Sequence, residues 1–332
     1  MSQRYQEAGV NLTAGQEAVD LIRDAVKQTC GPEVLAGVGA FGGLFDASRL
    51  PPEPVLVAST DGVGTKVMLA VAWGRYDGIG HDIVNHCVND ILVQGARPLF
   101  FLDYVASDRL QPHVVAAIVR GMAEACREVG CALLGGETAE MPGVYAKGQL
   151  DVVGTIVGVV SRTHVLPRPD IAPGDMLVGL PSSGPHTNGY SLIRSVLGDA
   201  SPHMRLAGGK TLAETLLAPH RCYAELVERV RAVVPVKGLV HVTGGGLVDN
   251  VPRVLPPGCG ARIRRGSWPI PPVFSLIQRR GRVSDEEMAH VFNLGIGMVI
   301  IVAAEDVDAL LGAIGEPAWV IGEVVAGEGV TL

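Results

Sequence analysis

The sequence has little of what marks several common classes of protein. Its formal net charge is −7, so it lacks the basic excess that a nucleic-acid-binding protein usually carries on one face. No apolar run reaches the roughly 18 residues that a membrane-spanning helix needs. The opening residues 1–7 contain no apolar segment of a secretory signal. We therefore expect no nucleic-acid partner and no membrane partner.

Paired cysteines are missing as well. The six cysteines form neither a CxxC pair nor a zinc-binding spacing. This pattern predicts reduced thiols in a cytoplasmic protein, most of them packed in the core. The chain also lacks the P-loop motif, in which GxxxxGK precedes Ser or Thr. Any nucleotide site must therefore be of another kind.

Glycine, by contrast, is abundant, with 43 of 332 residues, well above the usual share of about 7%. Four glycines fall in the run 36–45, namely Gly37, Gly39, Gly42 and Gly43. A loop of this kind can turn its backbone amides toward phosphate groups. A plain flexible connector has the same composition, so both interpretations stay open at this point.

A second glycine motif follows the apolar run 55–58. It reads Asp61-Gly62-Val63-Gly64-Thr65-Lys66 and leads into helix-forming residues. The pattern predicts a buried strand, a glycine turn and a helix start, an arrangement that presents backbone amides to an anion. An acidic residue beside such a turn favours a divalent cation that joins carboxylate to phosphate. We therefore expect a metal–nucleotide site here.

Predicted strands and helices alternate along the whole chain, which indicates an α/β or α+β fold built in layers. A capping box that starts at Thr13 predicts the first helix. The proline-rich stretch 164–175 predicts a boundary between two domains, which we expect at 1–165 and 174–332. Further helices are predicted at 82–94, 112–128 and about 212–233, and strands at 55–58, 98–102, 131–134 and 236–242.

Acidic residues recur where these elements end. Asp61, Asp103 and Glu137 each follow a predicted strand, and Asp90 lies on a predicted helix. If Asp61, Asp90 and Glu137 converge, each like-charge pair at about 4 Å costs on the order of 4 kcal/mol at an effective dielectric constant near 20. Such a cluster needs a cation or must take up protons. Mg²⁺ suits it, because Mg²⁺ prefers oxygen ligands and bridges substrate phosphates.

Six motifs, taken in order, carry a resemblance to a known family. They are Tyr5-Gln6-Glu7-Ala8-Gly9-Val10, Thr60-Asp61-Gly62-Val63-Gly64-Thr65-Lys66, Cys87-Val88-Asn89-Asp90, Gly135-Gly136-Glu137-Thr138-Ala139-Glu140-Met141-Pro142, Ser183-Gly184-Pro185-His186-Thr187-Asn188-Gly189-Tyr190-Ser191 and His241-Val242-Thr243-Gly244-Gly245-Gly246. The set resembles the phosphoribosylformylglycinamidine cyclo-ligases, also called aminoimidazole ribonucleotide synthetases, over nearly the whole chain.

The resemblance implies a reaction and a fold. Members of the family use ATP to close the imidazole ring of formylglycinamidine ribonucleotide, with release of ADP and phosphate, in the fifth step of de novo purine biosynthesis. Ring closure is expected to follow phosphorylation of the formyl oxygen. The implied fold has an N-terminal mixed-sheet domain that pairs across a homodimer and a C-terminal α/β domain that supplies substrate-binding loops. The expected ligands are therefore ATP, Mg²⁺ and the ribonucleotide.

The resemblance also implies roles for individual residues. The implied Mg²⁺ ligands are Asp61, Asp90 and Glu137. The residues implied for ATP are Gly37, Gly39, Gly42, Gly43, Asp61, Gly64, Thr65, Lys66, Asp103 and Gly136. The residues implied for the ribonucleotide are His186, Asn188, Thr243, Gly244 and Gly245. Of these, His186, Asn188 and Lys66 are expected to act in the chemical steps.

Ring closure also needs a proton acceptor. His186 has a suitable reference pKa, near 6.5, and the sequence leaves open whether it is this base or a phosphate-binding residue. His86 is the competing residue, although a histidine in the middle of a helix is more often structural. Cys30-Gly31 stand where many members carry an arginine before the proline, so we expect no arginine–phosphate contact at that point.

Two other functions remain as alternatives. One is another ATP-dependent kinase or synthetase of the same superfamily, such as thiamine-monophosphate kinase. The other is a catalytically inactive regulator that binds nucleotide. A regulator predicts the loss of catalytic acids, whereas Asp61, Asp90 and Glu137 are all present.

Overall fold

A computed structural model describes residues 12–332 of the chain. The motif at residues 5–10 lies outside the described residues, and nothing in the structure bears on it. Over 12–332, no helix is both long and apolar enough to cross a bilayer.

The described chain divides into two compact units. The first unit runs to Ile91 and resumes over Arg97–Arg162, and the second comprises Leu92–Ala96 and Thr163–Leu332. The change of unit after Arg162 falls just before the proline-rich stretch in which we expected a domain boundary. Each unit is built around its own sheet.

The first unit contains a two-stranded ribbon and a four-stranded sheet. Its strands are β1 Val34–Ala36, β2 Leu44–Phe45, β3 Pro54–Gly62, β4 Arg97–Ser107, β5 Ala132–Glu140 and β6 Leu150–Ser161. The ribbon pairs β1 with β2, and the sheet has the order β3-β6-β4-β5. β6 pairs antiparallel with β3 and β4, whereas β4 and β5 are parallel. The predicted mixed sheet is therefore confirmed.

Helices cover one face of this sheet. The helices of the first unit are α1 Leu12–Lys27, α2 Lys66–Trp73, α3 Ile79–Leu92 and α4 Pro112–Glu128. Pro112 stands in the first turn of α4, where a missing backbone N–H is tolerated. Ile91 of α3 lies directly over Gly158 of β6, so glycine lets the helix approach the strand. Thr13 lies inside α1, so its predicted position as N-cap is wrong.

Three strands run further than the sequence predicts. Asp61 in β3, Asp103 in β4 and Glu137 in β5 are paired inside their strands and do not follow them. Glycines opposite the acids make this pairing compact: Gly154 lies opposite both Asp61 and Asp103, and Gly136 lies opposite Asp103. The strand predicted at 131–134 therefore continues through Gly135 and Gly136 to Glu140, at the edge of the sheet.

The second unit is built on a six-stranded sheet. Its strands are β7 Met176–Pro181, β8 Gly238–His241, β9 Cys259–Ile263, β10 Ile296–Val302, β11 Trp319–Ala326 and β12 Val330–Thr331. They lie in the order β12-β9-β11-β7-β10-β8. All neighbours are antiparallel except β12 and β9, which are parallel.

Both faces of this sheet are buried. The helices of the second unit are α5 Tyr190–Leu197, α6 Leu212–Leu216, α7 Ala224–Arg231, α8 Gly246–Asn250, α9 Pro272–Gly281, α10 Asp285–Val291 and α11 Val307–Ile314. Ile300 of β10 belongs to an apolar cluster with Val227 of α7 and Leu310 of α11. Its neighbour Ile301 belongs to a separate cluster with Leu247 of α8. Successive β10 residues thus fill opposite cores, as expected for a central strand.

The helix predicted at 212–233 is wrong as one continuous element. α6 ends at Leu216 and α7 begins at Ala224, because Pro219 cannot take part in the hydrogen bonding of a helix interior. The connection at 217–223 is packed tightly, with Tyr223 Oη donating to Pro181 O at 2.8 Å. It carries the fully buried His220.

Candidate active site

Asp61 and Asp90 meet around one buried imidazole in the first unit. His86 Nε2 lies 2.8 Å from Asp61 Oδ2 and 3.9 Å from Asp90 Oδ2. His86 and Asp90 are one turn apart on α3, so they share a face of the helix. Ser59, two residues before Asp61 on the same face of β3, donates from Oγ to Asp90 Oδ2 at 2.9 Å.

Mutual charge stabilises this cluster. Burial acts to lower the pKa of His86, but the hydrogen bond to Asp61 and the charges of Asp90, Asp61 and Asp82 outweigh it, so the pKa is raised. Burial acts to raise the pKa of Asp61, but the contacts with His86 and the Gly62 amide outweigh it, so that pKa is lowered. The Asp61 side chain is nevertheless 42% exposed, which leaves it open to ions from solvent.

The chemistry of this donor set fits Mg²⁺. Two carboxylates and a hydroxyl oxygen are the hard ligands that Mg²⁺ prefers, and exposure of Asp61 leaves room for the waters that it keeps. The His86 N–H stands between the carboxylates. A cation that binds both acids must therefore compete with a protonated imidazole.

Glu137 does not join this cluster within one chain. It lies on the edge strand β5, and the strand order puts β4 and β6 between β5 and β3. Asp61, Gly154, Asp103 and Gly136 form a row across the sheet. The row covers three strand spacings, or roughly 14 Å. Glu137 is one residue beyond the row and faces the opposite side of the sheet, because side chains alternate along a strand.

Asp103 and Gly136, both expected near ATP, are neighbours on adjacent strands. Burial raises the pKa of the Asp103 carboxyl to about 7, and the nearby charge of Glu137 adds to this rise. A Cβ on Gly136 would collide with the Asp103 carboxylate. Glycine is therefore needed here to leave space for the acid.

Lys66, expected near the ATP phosphates, is fully buried. Its ammonium donates to Asp82 Oδ1 at 2.7 Å, and neither side chain is exposed. Burial lowers the pKa of Lys66, while Asp82 opposes that shift. A direct phosphate contact stays a prediction, and it would require this enclosed ion pair to open.

The two glycine motifs of the first unit have different local structures. Gly64 has φ +66° and turns the chain from β3 into α2, with Thr65 at the N-cap. The predicted order of strand, turn and helix is therefore confirmed, whereas the prediction of a buried strand is wrong, because β3 lies at the edge of its sheet and none of its residues is buried. The run from Gly37 to Gly43 links the two short ribbon strands, and a Cβ on Gly43 would collide with Leu134 of β5. This contact ties one end of the loop to the sheet.

In the second unit, the loop after β7 carries His186. Its φ of +61° is uncommon for a residue other than glycine, and its side chain is buried. The Ser183 N–H donates to His186 Nε2 at 3.2 Å. The His186 ring stacks on that of His220, with centroids 4.0 Å apart. Gly297 of β10 makes room, since a Cβ there would collide with His186 and with the Tyr223 hydroxyl.

The second expected substrate loop, residues 243–245, lies beside Asn188. A Cβ on Gly244 would stand 3.2 Å from Asn188 Oδ1. Asn188 Nδ2 is buried and has no hydrogen-bond partner among residues 12–332, so a donor is left for an oxygen of a ligand. Asn250 holds the glycine loop, because its Nδ2 donates to Gly244 O at 3.2 Å and to Gly246 O at 2.7 Å.

Ser59, Asn250 and His220 belong to these clusters but were not predicted as site residues. Ser59 had a usable signal, since it shares a strand face with Asp61. Asn250 follows the glycine loop within one short helix, which is a weaker signal. His220 had none, because its partners Thr187 and His241 are 33 and 21 residues away.

Comparison with known proteins agrees with this architecture. The family description "AIR synthase related protein, N-terminal domain" matches residues 34–160, and the corresponding C-terminal domain matches residues 172–332. Among solved structures, thiamine-monophosphate kinase from Stenotrophomonas maltophilia superposes with a TM-score of 0.69 at 21% identity, covering 93% of this chain and 95% of that one. HypE from E. coli gives 0.69 at 22% identity, covering 94% and 92%. These two likenesses show the fold.

Curated sequences are much more similar. The phosphoribosylformylglycinamidine cyclo-ligase of Geobacillus kaustophilus is 50% identical, over 100% of this chain and 98% of its own length. That of Desulfitobacterium hafniense is 50% identical over 98% and 97%. The chain therefore belongs to the AIR synthase related family, on the branch whose full-length relatives are phosphoribosylformylglycinamidine cyclo-ligases.

Proposed function

We propose that this chain is an ATP-dependent cyclo-ligase that closes formylglycinamidine ribonucleotide to 5-aminoimidazole ribonucleotide in purine biosynthesis. The observation that carries this function is the 50% identity, over full length, to enzymes of that name. The products are ADP and phosphate. A cytoplasmic location is part of the proposal, and the free thiols of all six cysteines support it.

The reaction requires the protein to assist a phosphoryl transfer and a proton transfer. The formyl oxygen is a poor leaving group, so it first takes the γ-phosphoryl group of ATP, and the attacking nitrogen then displaces phosphate. Phosphoryl transfer needs positioning and neutralisation of charge. Ring closure also releases a proton from the attacking nitrogen. The chain must therefore supply hydrogen-bond donors to phosphate oxygens as well as a route for one proton.

His186 is better arranged as a donor than as the base. Its Nε2 accepts the Ser183 amide, so in the neutral imidazole the proton resides on Nδ1. Nδ1–H can then donate to an oxygen of the substrate or of the transferred phosphate. The buried Nδ2 of Asn188 supplies a second donor beside Gly244. We assign both residues, with the loop 243–245, to the ribonucleotide.

In the first unit, we assign Asp61 and Asp90 to Mg²⁺ and the glycine motifs at 37–43 and 64–65 to ATP. The geometry that supports the metal assignment is the approach of both carboxylates to His86 Nε2. Mg²⁺ would neutralise phosphate charge there. A hydrogenase maturation protein HypE that has been solved in complex with ATP shares this fold, which supports ATP as the nucleotide.

We further propose that the first unit forms a homodimer through the helix-free face of its sheet. Leu56 of β3 is 63% exposed and Leu102 of β4 is 36% exposed, and both point away from the helices. Exposed apolar side chains on a sheet face are typical of an interface. Glu137 faces the same side as Leu102, so a second copy of the chain would lie over it.

The dimer can be tested by analytical ultracentrifugation. Leu56→Glu places a charge on the proposed interface and should convert the dimer to monomer. Leu21→Glu is the matched control, since Leu21 is 40% exposed on α1, away from that face. A monomeric wild-type protein, or an unchanged Leu56→Glu dimer, contradicts the interface.

The activity itself can be tested by phosphate release. The purified protein should release phosphate from ATP only when Mg²⁺ and formylglycinamidine ribonucleotide are both present. Aminoimidazole ribonucleotide should form in equal amount. Turnover on thiamine monophosphate in place of the ribonucleotide would identify a kinase of the superfamily and would overturn the assignment.

The role of His186 can be tested by substitution. His186→Ala should reduce kcat for the ribonucleotide by about a hundredfold, with little change in the KM for ATP. His186→Asn retains a donor on a shorter side chain and should recover part of the loss. A higher KM with an unchanged kcat would show that His186 only binds the substrate in its ground state.

A further inference from the structure

Three histidines of the second unit form one buried cluster. One ring nitrogen from each of His186, His220 and His241 lies within 4.8 Å of the other two. His220 comes from the 217–223 connection, and His241 is the last residue of β8. His220 Nε2 lies 2.9 Å from His241 Nε2. Thr187 Oγ1 lies 3.3 Å from His220 Nδ1. His220 thus contacts the 183–188 loop directly and contacts His241, the last residue of the strand that leads into the loop 243–245.

This geometry restricts the protons that the cluster can hold. A hydrogen bond between two imidazole nitrogens needs one N–H and one lone pair, so one proton stands between His220 and His241. If Thr187 donates to Nδ1 of His220, then His220 donates from Nε2 to His241. If Thr187 accepts, the direction reverses. With both rings neutral, the direction of this hydrogen bond decides which nitrogen of His241 carries its proton.

The same atoms favour proton sharing over a metal centre. A zinc site needs lone pairs that converge on one point at about 2.0–2.1 Å from each nitrogen. Here the Nε2 atoms of His220 and His241 face each other directly. The His186 and His220 rings are stacked with an angle of 24° between their planes. Their in-plane lone pairs therefore run alongside each other and do not converge.

We propose that His220 is a positioning residue that sets the tautomer of His241 and holds the two substrate loops in one arrangement. It reaches the 183–188 loop through the hydrogen bond with Thr187 and the stacking on His186. It acts on the loop 243–245 through His241, which ends the strand before that loop. Because His220 is fully buried, it acts through these neighbours and does not contact substrate. The inference rests on the proposed function, since the loops are assigned to the ribonucleotide.

The kinetic test compares three variants. His220→Phe keeps an aromatic ring for stacking but removes both nitrogens, and it should lower kcat for the ribonucleotide by about tenfold or more, with the KM for ATP unchanged. His220→Gln places an amide near the position of Nε2 and should recover part of the loss. His203→Phe is the matched control, because His203 is exposed in the same unit, and it should behave as wild type.

A second measurement does not depend on turnover or on a stable variant. Nitrogen NMR of the histidine-labelled wild-type protein should show one protonated and one unprotonated Nε2 for His220 and His241. Two protonated or two unprotonated nitrogens would overturn the proposal, as would stoichiometric zinc in the purified protein. Wild-type kinetics for His220→Phe would overturn it as well. Absence of wild-type turnover would instead refute the proposed function and leave the NMR result standing.

Discussion

His86 Nε2 stands 2.8 Å from Asp61 Oδ2, and it joins a buried helical histidine to a strand carboxylate that is 42% exposed. The pair brings together two motifs that are 25 residues apart in sequence, and it puts Asp90 within 3.9 Å of the same nitrogen. His86 is therefore not an isolated core histidine. It holds the two acids that we assign to the metal.

The Asp61–His86 pair should make stability depend on pH in both directions. The raised pKa of His86 contributes stability that is complete below its unfolded value of 6.5 and is lost as pH rises through the folded pKa. The lowered pKa of Asp61 contributes stability that is lost as pH falls below 3.8. The free energy of unfolding of the wild type should therefore exceed that of Asp61→Asn by the largest amount at about pH 5 to 6. Denaturant unfolding measures this difference.

Turnover gives an independent readout of the same variant. Asp61→Asn should abolish phosphate release at every pH, while the protein stays folded. NMR titration should show a lower pKa of His86 in the variant. Burial lowers this pKa, and the variant lacks the Asp61 charge that raises it. An unchanged pKa of His86 would show that the 2.8 Å contact does not form in solution.

Mg²⁺ should compete with the proton on His86. A cation shared by Asp61 and Asp90 repels a positive imidazole between them, so saturating Mg²⁺ should lower the pKa of His86. The affinity for Mg²⁺ should correspondingly increase as pH rises through that pKa. Calorimetric titration of Mg²⁺ at several pH values measures this. Asp90→Asn should weaken Mg²⁺ binding, and equal binding to this variant would exclude Asp90 as a ligand.

Buried Lys66 should behave as a structural residue in unfolding experiments. Lys66→Met removes the buried cation that lies 2.7 Å from Asp82 and should lower the free energy of unfolding by about 3 to 5 kcal/mol. Removing both charges, in Lys66→Met with Asp82→Leu, should restore much of that loss. Lys147→Met, at an exposed lysine of the same unit, should change stability by no more than about 0.5 kcal/mol.

The sequence predicted the elements of this fold better than their ends. Spacing alone predicted α4 with its observed bounds and placed Asp61, Gly64 and Thr65 around a strand–turn–helix junction. It stopped β5 too early, because a glycine pair usually indicates a loop. Pairing with β4 carries that strand on to Glu140. Tertiary pairing thus overrode a local preference.

The site residues also divide into those that local sequence patterns predict and those that depend on tertiary structure. Asp90 and His86 share a helix face, which periodicity can predict. The partner of Lys66 is Asp82 on another helix, and periodicity does not reveal which lysine is enclosed. The three-acid cluster was expected from residue type, but strand order separates Glu137 from Asp61 within one chain. Strand order is a property of the whole sheet, so local patterns do not contain it.

Asp103 should destabilise the folded protein at high pH. Its carboxyl stays protonated in the folded state up to about pH 7, whereas in the unfolded state it ionises near 3.8. The folded protein therefore binds more protons between these values, and stability falls as pH rises through them. At pH 8, Asp103→Asn should raise the free energy of unfolding by about 2 kcal/mol relative to wild type, after allowance for solvent screening. At pH 4 the two proteins should be equally stable.

Denaturant unfolding at both pH values measures this difference. Glu128→Gln serves as the control, since Glu128 is an exposed carboxylate at the end of α4. A gain of Asp103→Asn that does not change with pH would show that folding does not raise the pKa of this carboxyl.

Gly297 should be as important for activity as the side chains around it. An added methyl group there would collide with the His186 ring and the Tyr223 hydroxyl, which the β7 loop and the 217–223 connection hold from either side. Because β10 pairs with a strand on each side, we expect it to keep its position. The loop that carries His186 must then move away from it. Gly297→Ala should therefore lower kcat for the ribonucleotide by about tenfold or more while Mg²⁺ binding to the first unit is unchanged.

Gly312→Ala is the matched control, since a Cβ on Gly312 of α11 meets no atom within 4 Å among the described residues. Equal activity of the two variants would show that the position of His186 does not limit turnover.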